Sequence, residues 1–265
     1  PVSKNYSIIE AAIVEAAWAG CDTIWVVCND DIAPVVRYRV GDYIQDPLYF
    51  NNKFGKQPEN RYRRIPIFWV PIHPKDRDKR DCLSWSVIHG ALAALKVSSQ
   101  LSKWMIPDKY YVSFPYGIFD SKILQKQRTK IRSEKNFFIT HQDKTVQDNL
   151  YSSFTFGKDE FIKYRKNIRQ GTGRYTSKLN EKGIPFETLP IEERWSARFF
   201  ELNDVFIDND FDLANMCEVS EFYNIGDWDS YKNFISSEFS NCIQKPDEKL
   251  FSYKEFNRIA YDKEP

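Results

Sequence analysis

The sequence lacks a charge excess of either sign. Its 38 Lys and Arg stand against 37 Asp and Glu, for a formal net charge of +1. A dedicated nucleic-acid binder carries a large basic excess, so that class is set aside. Long hydrophobic runs are missing as well. The longest, such as Ile67 to Pro71, fall far short of the roughly 18 residues of a membrane span, and no membrane partner is expected. No stretch combines the basic start and apolar middle of a secretory signal. Histidine is scarce, and neither a Cys-x-x-Cys pair nor zinc-ligand spacing occurs. The five cysteines, Cys21, Cys28, Cys82, Cys217 and Cys242, are odd in number. Cys21 and Cys28 flank an apolar strand-like run and read as buried thiols, which fits a reducing cytoplasm. Internal repeats, low-complexity tracts and Pro-rich linkers are absent too. The expectation is one domain over residues 1–265, large enough to need no disulfide or metal staple. The opening at Pro1, almost directly before a helix pattern, points to a segment missing ahead of it.

What is present alternates between strand and helix signals. Ile8, Ile9, Ala12, Ile13, Ala16 and Ala17 form one apolar helical stripe, with Ser7 as N-cap and Gly20 as C-terminal stop. Thr23–Cys28 is a continuous apolar run, the pattern of a strand covered on both faces. A helix from Ala33 to Tyr43 follows, then a polar and aromatic loop over Pro47–Arg64. Ile65–Val70 reads as strand, Pro74–Arg80 as a charged loop, Trp85–Leu101 as helix and Tyr110–Phe114 as strand. Asp120–Ile131 reads as helix, Phe137–Thr140 and Tyr151–Phe156 as strands, and Glu160–Arg169 as a helix broken by Gln170-Gly171-Thr172-Gly173. Ser230–Phe239 is a last helix. The alternation predicts an α/β fold, with Thr23–Cys28, Ile65–Val70 and Tyr110–Phe114 in one mixed, mainly parallel sheet.

Three segments together resemble the sugar nucleotidyltransferases, the pyrophosphorylases that make nucleotide sugars. Pro1-Val2, the Ile8–Ala17 stripe and Gly20-Cys21-Asp22-Thr23-Ile24-Trp25-Val26-Val27 are similar to that family's first helix and second strand. Asn149-Leu150-Tyr151-Ser152-Ser153-Phe154-Thr155-Phe156 resembles its sugar-pocket strand. Phe222-Tyr223-Asn224-Ile225-Gly226-Asp227-Trp228-Asp229-Ser230-Tyr231 resembles its late motif. The resemblance implies a three-layer, Rossmann-like nucleotide-diphospho-sugar transferase fold, here without its first strand and phosphate loop. It implies a nucleoside triphosphate and a sugar 1-phosphate as partners and Mg²⁺ as cofactor. It makes Ser84, Tyr116, Gly117, Lys144, Asn149 and Tyr151 candidate substrate-binding residues, and Asp120, Asn224 and Asp227 candidate metal ligands, with Asp227 also catalytic. Tyr116 and Asn224 stand where the family places its two metal-binding aspartates. A carboxylate pair binds Mg²⁺ by charge; an amide offers only a carbonyl oxygen, and a protonated phenol is a poor ligand. The readings are therefore an active nucleotidyltransferase, an inactive nucleotide-sugar-binding relative, or a metal-dependent glycosyltransferase of related fold using Asp208-Asn209-Asp210.

Other constellations have plainer readings. Asp204, Asp208, Asp210 and Asp212 lack the Gly and closing Glu of an EF-hand loop and read as a solvated turn. Lys163, Arg165, Lys166, Arg169 and Arg174 around Gly171-Thr172-Gly173 read as a basic helix end, with a phosphate-binding turn as the alternative. His89 reads as a partly buried structural histidine, and His73 has no partner motif. Trp195 with Arg198 is a candidate sugar-stacking wall or a structural Trp. Tyr43, Tyr49, Phe50 and Tyr62 are candidates for a partner surface.

Overall fold

The computed structural model describes residues 1–51, 63–72, 82–101, 106–190, 200–207 and 212–252. Helix α1, Ile8–Ala19, is set by its ends. Ser7 and Glu10 form a capping box, with the Ser7 amide donating to Glu10 Oε2 at 2.8 Å. Gly20 closes the helix in the left-handed region at φ 85°, where a side chain would be strained. Strand β1, Ile24–Cys28, leads to α2, Ala33–Val40. This helix stops three residues before the expected Tyr43, because Gly41 at φ 90° turns the chain out of it. Strand β2, Tyr43–Gln45, takes the end of the expected helix, and the short α3, Pro47–Asn51, occupies part of what reads as loop in the sequence. Then come β3, Arg64–Pro71, α4, Leu83–Leu101, β4, Lys109–Val112, β5, Gly117–Ile118, α5, Leu124–Arg132, and β6, Phe138–Thr140. The remaining elements are β7, Phe154–Gly157, α6, Lys158–Thr176, β8, Ser177–Leu179, β9, Pro185–Thr188, α7, Leu202–Phe206, β10, Met216–Glu218, β11, Tyr223–Asn224, and α8, Trp228–Ser236.

The architecture is mixed α/β, with one departure from expectation. The three strands expected in one sheet divide between two. The first sheet has the order β2–β3–β1 and the second β4–β7–β6–β10. β1 and β3 pair in parallel, Ile24 opposite Ile67 through Cys28 opposite Pro71. Among the described residues β4 pairs only with β7, antiparallel, from Lys109 opposite Gly157 to Val112 opposite Phe154. β6 is antiparallel to β7 and parallel to β10. Among the described residues parallel pairs are thus limited to β1–β3 and β6–β10, and the sheets are mixed rather than mainly parallel. β7 runs back between β4 and β6, antiparallel to both.

Two helices lie across both sheets. Ile24 and Val26 of β1 share a buried cluster with Ile13, Val14 and Ala17 of α1. Val27, one residue out of phase, faces α4: a Cβ on Gly90 would lie 2.7 Å from Val27 Cγ2. Side chains alternate across a strand, so α1 and α4 cover opposite faces. The same alternation holds on β4. Tyr111 donates from its hydroxyl to Glu15 of α1 at 2.7 Å, while Val112 lies in the cluster with Ile88 and Ala91 of α4. Helix α6 runs unbroken through Gln170-Gly171-Thr172-Gly173, a correction to the expected break. Phe161, Tyr164 and Ile168 anchor it in the core, enough to offset about 1 kcal/mol for each helical glycine. Lys163, Arg165, Lys166 and Arg169 therefore line a helix and not a glycine-rich turn.

Buried charge locks the first helix in place. Asp46 is 1% exposed and receives Arg128 in a two-point contact, Nη2 to Oδ1 at 2.8 Å and Nη1 to Oδ2 at 3.2 Å. Arg63 reaches the same carboxylate at 3.3 Å. Arg128 also donates to the carbonyls of Ala17 and Trp18, at 2.8 and 2.9 Å, in the last turn of α1. One guanidinium thus serves a carboxylate and a helix C-terminus, where positive charge is favoured.

Removing one partner of such a pair leaves a buried charge uncompensated. Asp46→Ala is expected to lower the unfolding free energy by about 3–5 kcal/mol, read by urea titration. Glu15 gives a pH signature. It is 3% exposed, and burial pushes its carboxyl up to about 7 from the ordinary 4.5, against the hydrogen bonds from Ser153 and Tyr111. Its contribution to stability is full below the unfolded value of 4.5 and is lost as pH rises through about 7. The unfolding free energy should fall by about 3 kcal/mol between pH 4.5 and 8 relative to a Glu15→Gln variant, which cannot titrate there.

Candidate functional site

β4 and β6 both run antiparallel to β7, so their carboxyl ends lie on one edge of the second sheet. β10, parallel to β6, ends on the same edge. Clefts at such edges are the usual ligand positions of α/β sheets. Here the chain after β4 turns at Pro115-Tyr116, with the Gly117 amide donating to Phe114 O at 3.2 Å. β5 then pairs antiparallel with β11, Asn224 opposite Gly117 and Tyr223 opposite Ile118. The Ile225 amide donates to Tyr116 O at 2.8 Å. This ribbon joins residues more than one hundred positions apart.

Tyr151 sits at the centre. Its amide donates to Asn224 Oδ1 at 3.1 Å, and its ring lies 5.4 Å from Tyr116 and 6.0 Å from Phe114, centroid to centroid. Two glycines make room for it. A Cβ at Gly117 would lie 2.1 Å from Tyr151 O, and one at Gly226 would lie 2.7 Å from Tyr151 Cε2. Burial raises the Tyr151 phenol above its ordinary value, and the nearby Tyr116, Asp227 and Glu201 raise it further. Asn149, left-handed at φ 61°, donates to Glu201 Oε2 at 2.6 Å and accepts from the Asn203 amide at 2.9 Å. Tyr116, Gly117, Tyr151, Asn224 and Asp227 therefore converge, and Asn149 joins them through Glu201.

The remaining sequence candidates are placed differently. Ser84 lies inside the first turn of α4, not before it, and is 0% exposed. Its buried hydroxyl donates to Glu201 O at 3.4 Å. Lys144 is exposed on the turn after β6, its amide bonded to His141 O at 3.0 Å. It follows β6 on the carboxyl edge of the second sheet. Asp120 is exposed and caps the 3₁₀ turn Ser121–Ile123 through the Lys122 amide, at 3.1 Å. Asp227 caps α8: Oδ1 accepts the Asp229 and Ser230 amides, each at 2.9 Å, and Oδ2 accepts Ser230 Oγ at 2.7 Å. These bonds hold its carboxyl below the ordinary carboxylate range. His89 bonds the Pro71 carbonyl at 3.1 Å, in line with a structural role. His73, Trp195, Arg198, Tyr62, the 74–80 loop and Asp208-Asn209-Asp210 lie outside the described residues.

The donors do not fit a formed Mg²⁺ site. Asn224 is turned toward the Tyr151 amide, Asp227 toward its own helix and Asp120 toward another turn. Among the described residues no group of three His, Cys, Asp or Glu gathers as a metal cluster. Sequence reasoning missed Glu201 and Glu15. Glu15 carried a signal, a carboxylate seven residues after Ile8 on the apolar stripe; Glu201 carried none beyond its spacing to Asp204. No protein-family model, curated protein or solved structure matches the chain.

Gly117→Ala forces the new methyl against a backbone carbonyl that cannot swing away. It should destabilise the fold by about 3 kcal/mol, the upper range for overpacking, with Tyr151 displaced. Thermal melting together with the tyrosine region of near-ultraviolet circular dichroism reads both effects.

Proposed function

We propose that this cleft is a binding site of the sugar-nucleotidyltransferase type, taking a sugar phosphate or nucleotide sugar and not transferring a nucleotidyl group at a useful rate. The observation that carries the reading is the composition of the carboxyl edge. Tyr116, Tyr151 and Asn224 meet there, and the two carboxylates beside them are committed, Asp227 to capping α8 and Glu201 to Asn149. Aromatic faces and amides suit the ring and hydroxyls of a sugar, and exposed Lys144 on the same edge suits a phosphate. Nucleotidyl transfer instead relies on electrostatic stabilisation of the reacting phosphoryl group, and losing such contacts costs orders of magnitude in rate. The fold class supports the reading only by analogy, because folds host many activities.

The test is a calorimetric titration of sugar 1-phosphates and nucleoside-diphosphate sugars, beside an assay of pyrophosphate release from each nucleoside triphosphate with Mg²⁺. Saturable binding should weaken at least tenfold in Tyr151→Ala and change little in Asp120→Asn, with pyrophosphate release at background. Turnover that Asp227→Ala abolishes would replace this reading with the active enzyme. Absence of binding by every sugar phosphate and nucleotide sugar would remove the site altogether.

A further inference from the structure

Two exposed faces of the molecule are opposite in charge, and each carries apolar side chains. The first lies on α6 and the hairpin that follows it. Phe161, Tyr164 and Ile168 turn one side of α6 into the core. Lys163, Arg165, Lys166 and Arg169 stand on its outer side, around the exposed Ile162. None of these four cations forms an ion pair among the described residues. α6 leads directly into β8, which pairs with β9 as a two-stranded hairpin. Lys178 and Glu187 bridge its strands at 2.8 Å. Leu179, Ile184 and Phe186 project into solvent, and Phe186 is 65% exposed. A two-stranded hairpin is marginal by itself, and apolar side chains gathered in water mark a contact surface. From Lys158 to Leu189 the chain holds eight Lys and Arg against four Asp and Glu.

The second face lies on α8. Phe234 anchors this helix in the core, and Trp228 and Ile235, seven residues apart, share its outer side. They are 69% and 43% exposed. Tyr231 extends the same stripe, its ring 5.4 Å from Trp228. Glu221, before β11, and Glu238, just past α8, are exposed and form no ion pair among the described residues. From Glu221 to Glu238 the chain holds four Asp and Glu against one Lys. That residue, Lys232, is taken by Asp229 at 2.7 Å. The formal net charge of +1 therefore covers two segregated patches of opposite sign.

From these patches we infer one contact between copies of this chain, in which the α6–hairpin face of one copy docks on the α8 face of the next. Charge selects this occupant. Neither patch is neutralised by the described residues around it, and a second copy carries the complement of each. Leu179, Ile184 and Phe186 meet Trp228 and Ile235 at the desolvated centre, and the cations and carboxylates form the rim. The rim charges set orientation and encounter rate more than strength. Because the two faces are different surfaces, the contact is head-to-tail. Copies close into a ring of two or more, or continue as a chain.

The test is sedimentation velocity over a concentration series, at about 0.05 M and about 0.5 M salt. Self-association should grow with concentration and weaken at least tenfold at the higher salt. Phe186→Ser should weaken it by a similar factor. Lys166→Glu with Arg169→Glu should abolish it, and so should Glu221→Lys with Glu238→Lys. All four side chains are exposed, so both variants should keep the parent melting curve. Each variant has two like-charged faces and repels its own copies, but the two variants mixed should associate, and so should the chain carrying all four reversals. A chain that is monomeric at every concentration overturns the inference. Association indifferent to the reversals, or variants that stay apart on mixing, also overturns it. A monomer that instead binds anionic lipid vesicles through Lys166 and Arg169 gives the basic face to a membrane surface and overturns the second copy. No ligand enters these measurements, so the contact and the cleft stand or fall separately.

Discussion

The hydrogen bonds of the buried Glu15 carboxyl are the interaction on which the rest of the structure depends. Glu15 projects from α1, the helix that closes the first sheet, and accepts from Tyr111 of β4 and from Ser153 just before β7. It is therefore the polar tie between the two sheets. Burial of a carboxyl in this position is unfavourable to its charge, and two hydroxyl donors recover part of that cost without a cation. A salt bridge there would hold the charge at every working pH. A carboxyl with hydroxyl partners holds the sheets together best when it carries its proton, so the joint is sensitive to pH where an ion pair would not be.

The outer side of α1 uses the opposite solution. Arg128, Asp46 and Arg63 are fully ionic, and Arg128 also closes the last turn of α1 on Ala17 and Trp18. Glu10, buried like Asp46, is paired with Arg39 at 2.9 Å and Lys245 at 3.2 Å. Charge is thus gathered at the two ends of one helix and a protonatable group sits in its middle. The position of α1 is fixed at three points, and with it the relation of β1 to β4.

The meeting of Tyr116, Tyr151 and Asn224 inherits its geometry from this frame. Because β7 is antiparallel between β4 and β6, Tyr151 arrives at the edge where Tyr116 leaves it. The β5–β11 ribbon then brings Asn224 across to the Tyr151 amide. Tyr151 is held by its amide, by two glycines and by neighbouring rings, and so forms a fixed wall. Its carboxylates, Glu201 and Asp227, are spent on Asn149 and on the start of α8. What remains there is aromatic and amide in character.

Local rules were enough for much of this. The α1 stripe with Ser7 and Gly20 as caps, the apolar Ile24–Cys28 strand and the α4 helix follow from periodicity and end signals in the sequence. Residues 116, 151 and 224 were singled out by the resemblance, and the packed chain brings them together. The division into two sheets was not, because strand pairing depends on which edges are free, and no local pattern records that. Helix α6 ran through its glycines because core contacts by Phe161, Tyr164 and Ile168 outweigh a propensity deficit. The roles of Asp227 as a helix cap, Ser84 as a buried support and Glu15 as a tie between sheets were decided by tertiary structure. A residue type states what a side chain can bond, and only the packed chain brings one partner within reach while excluding the others.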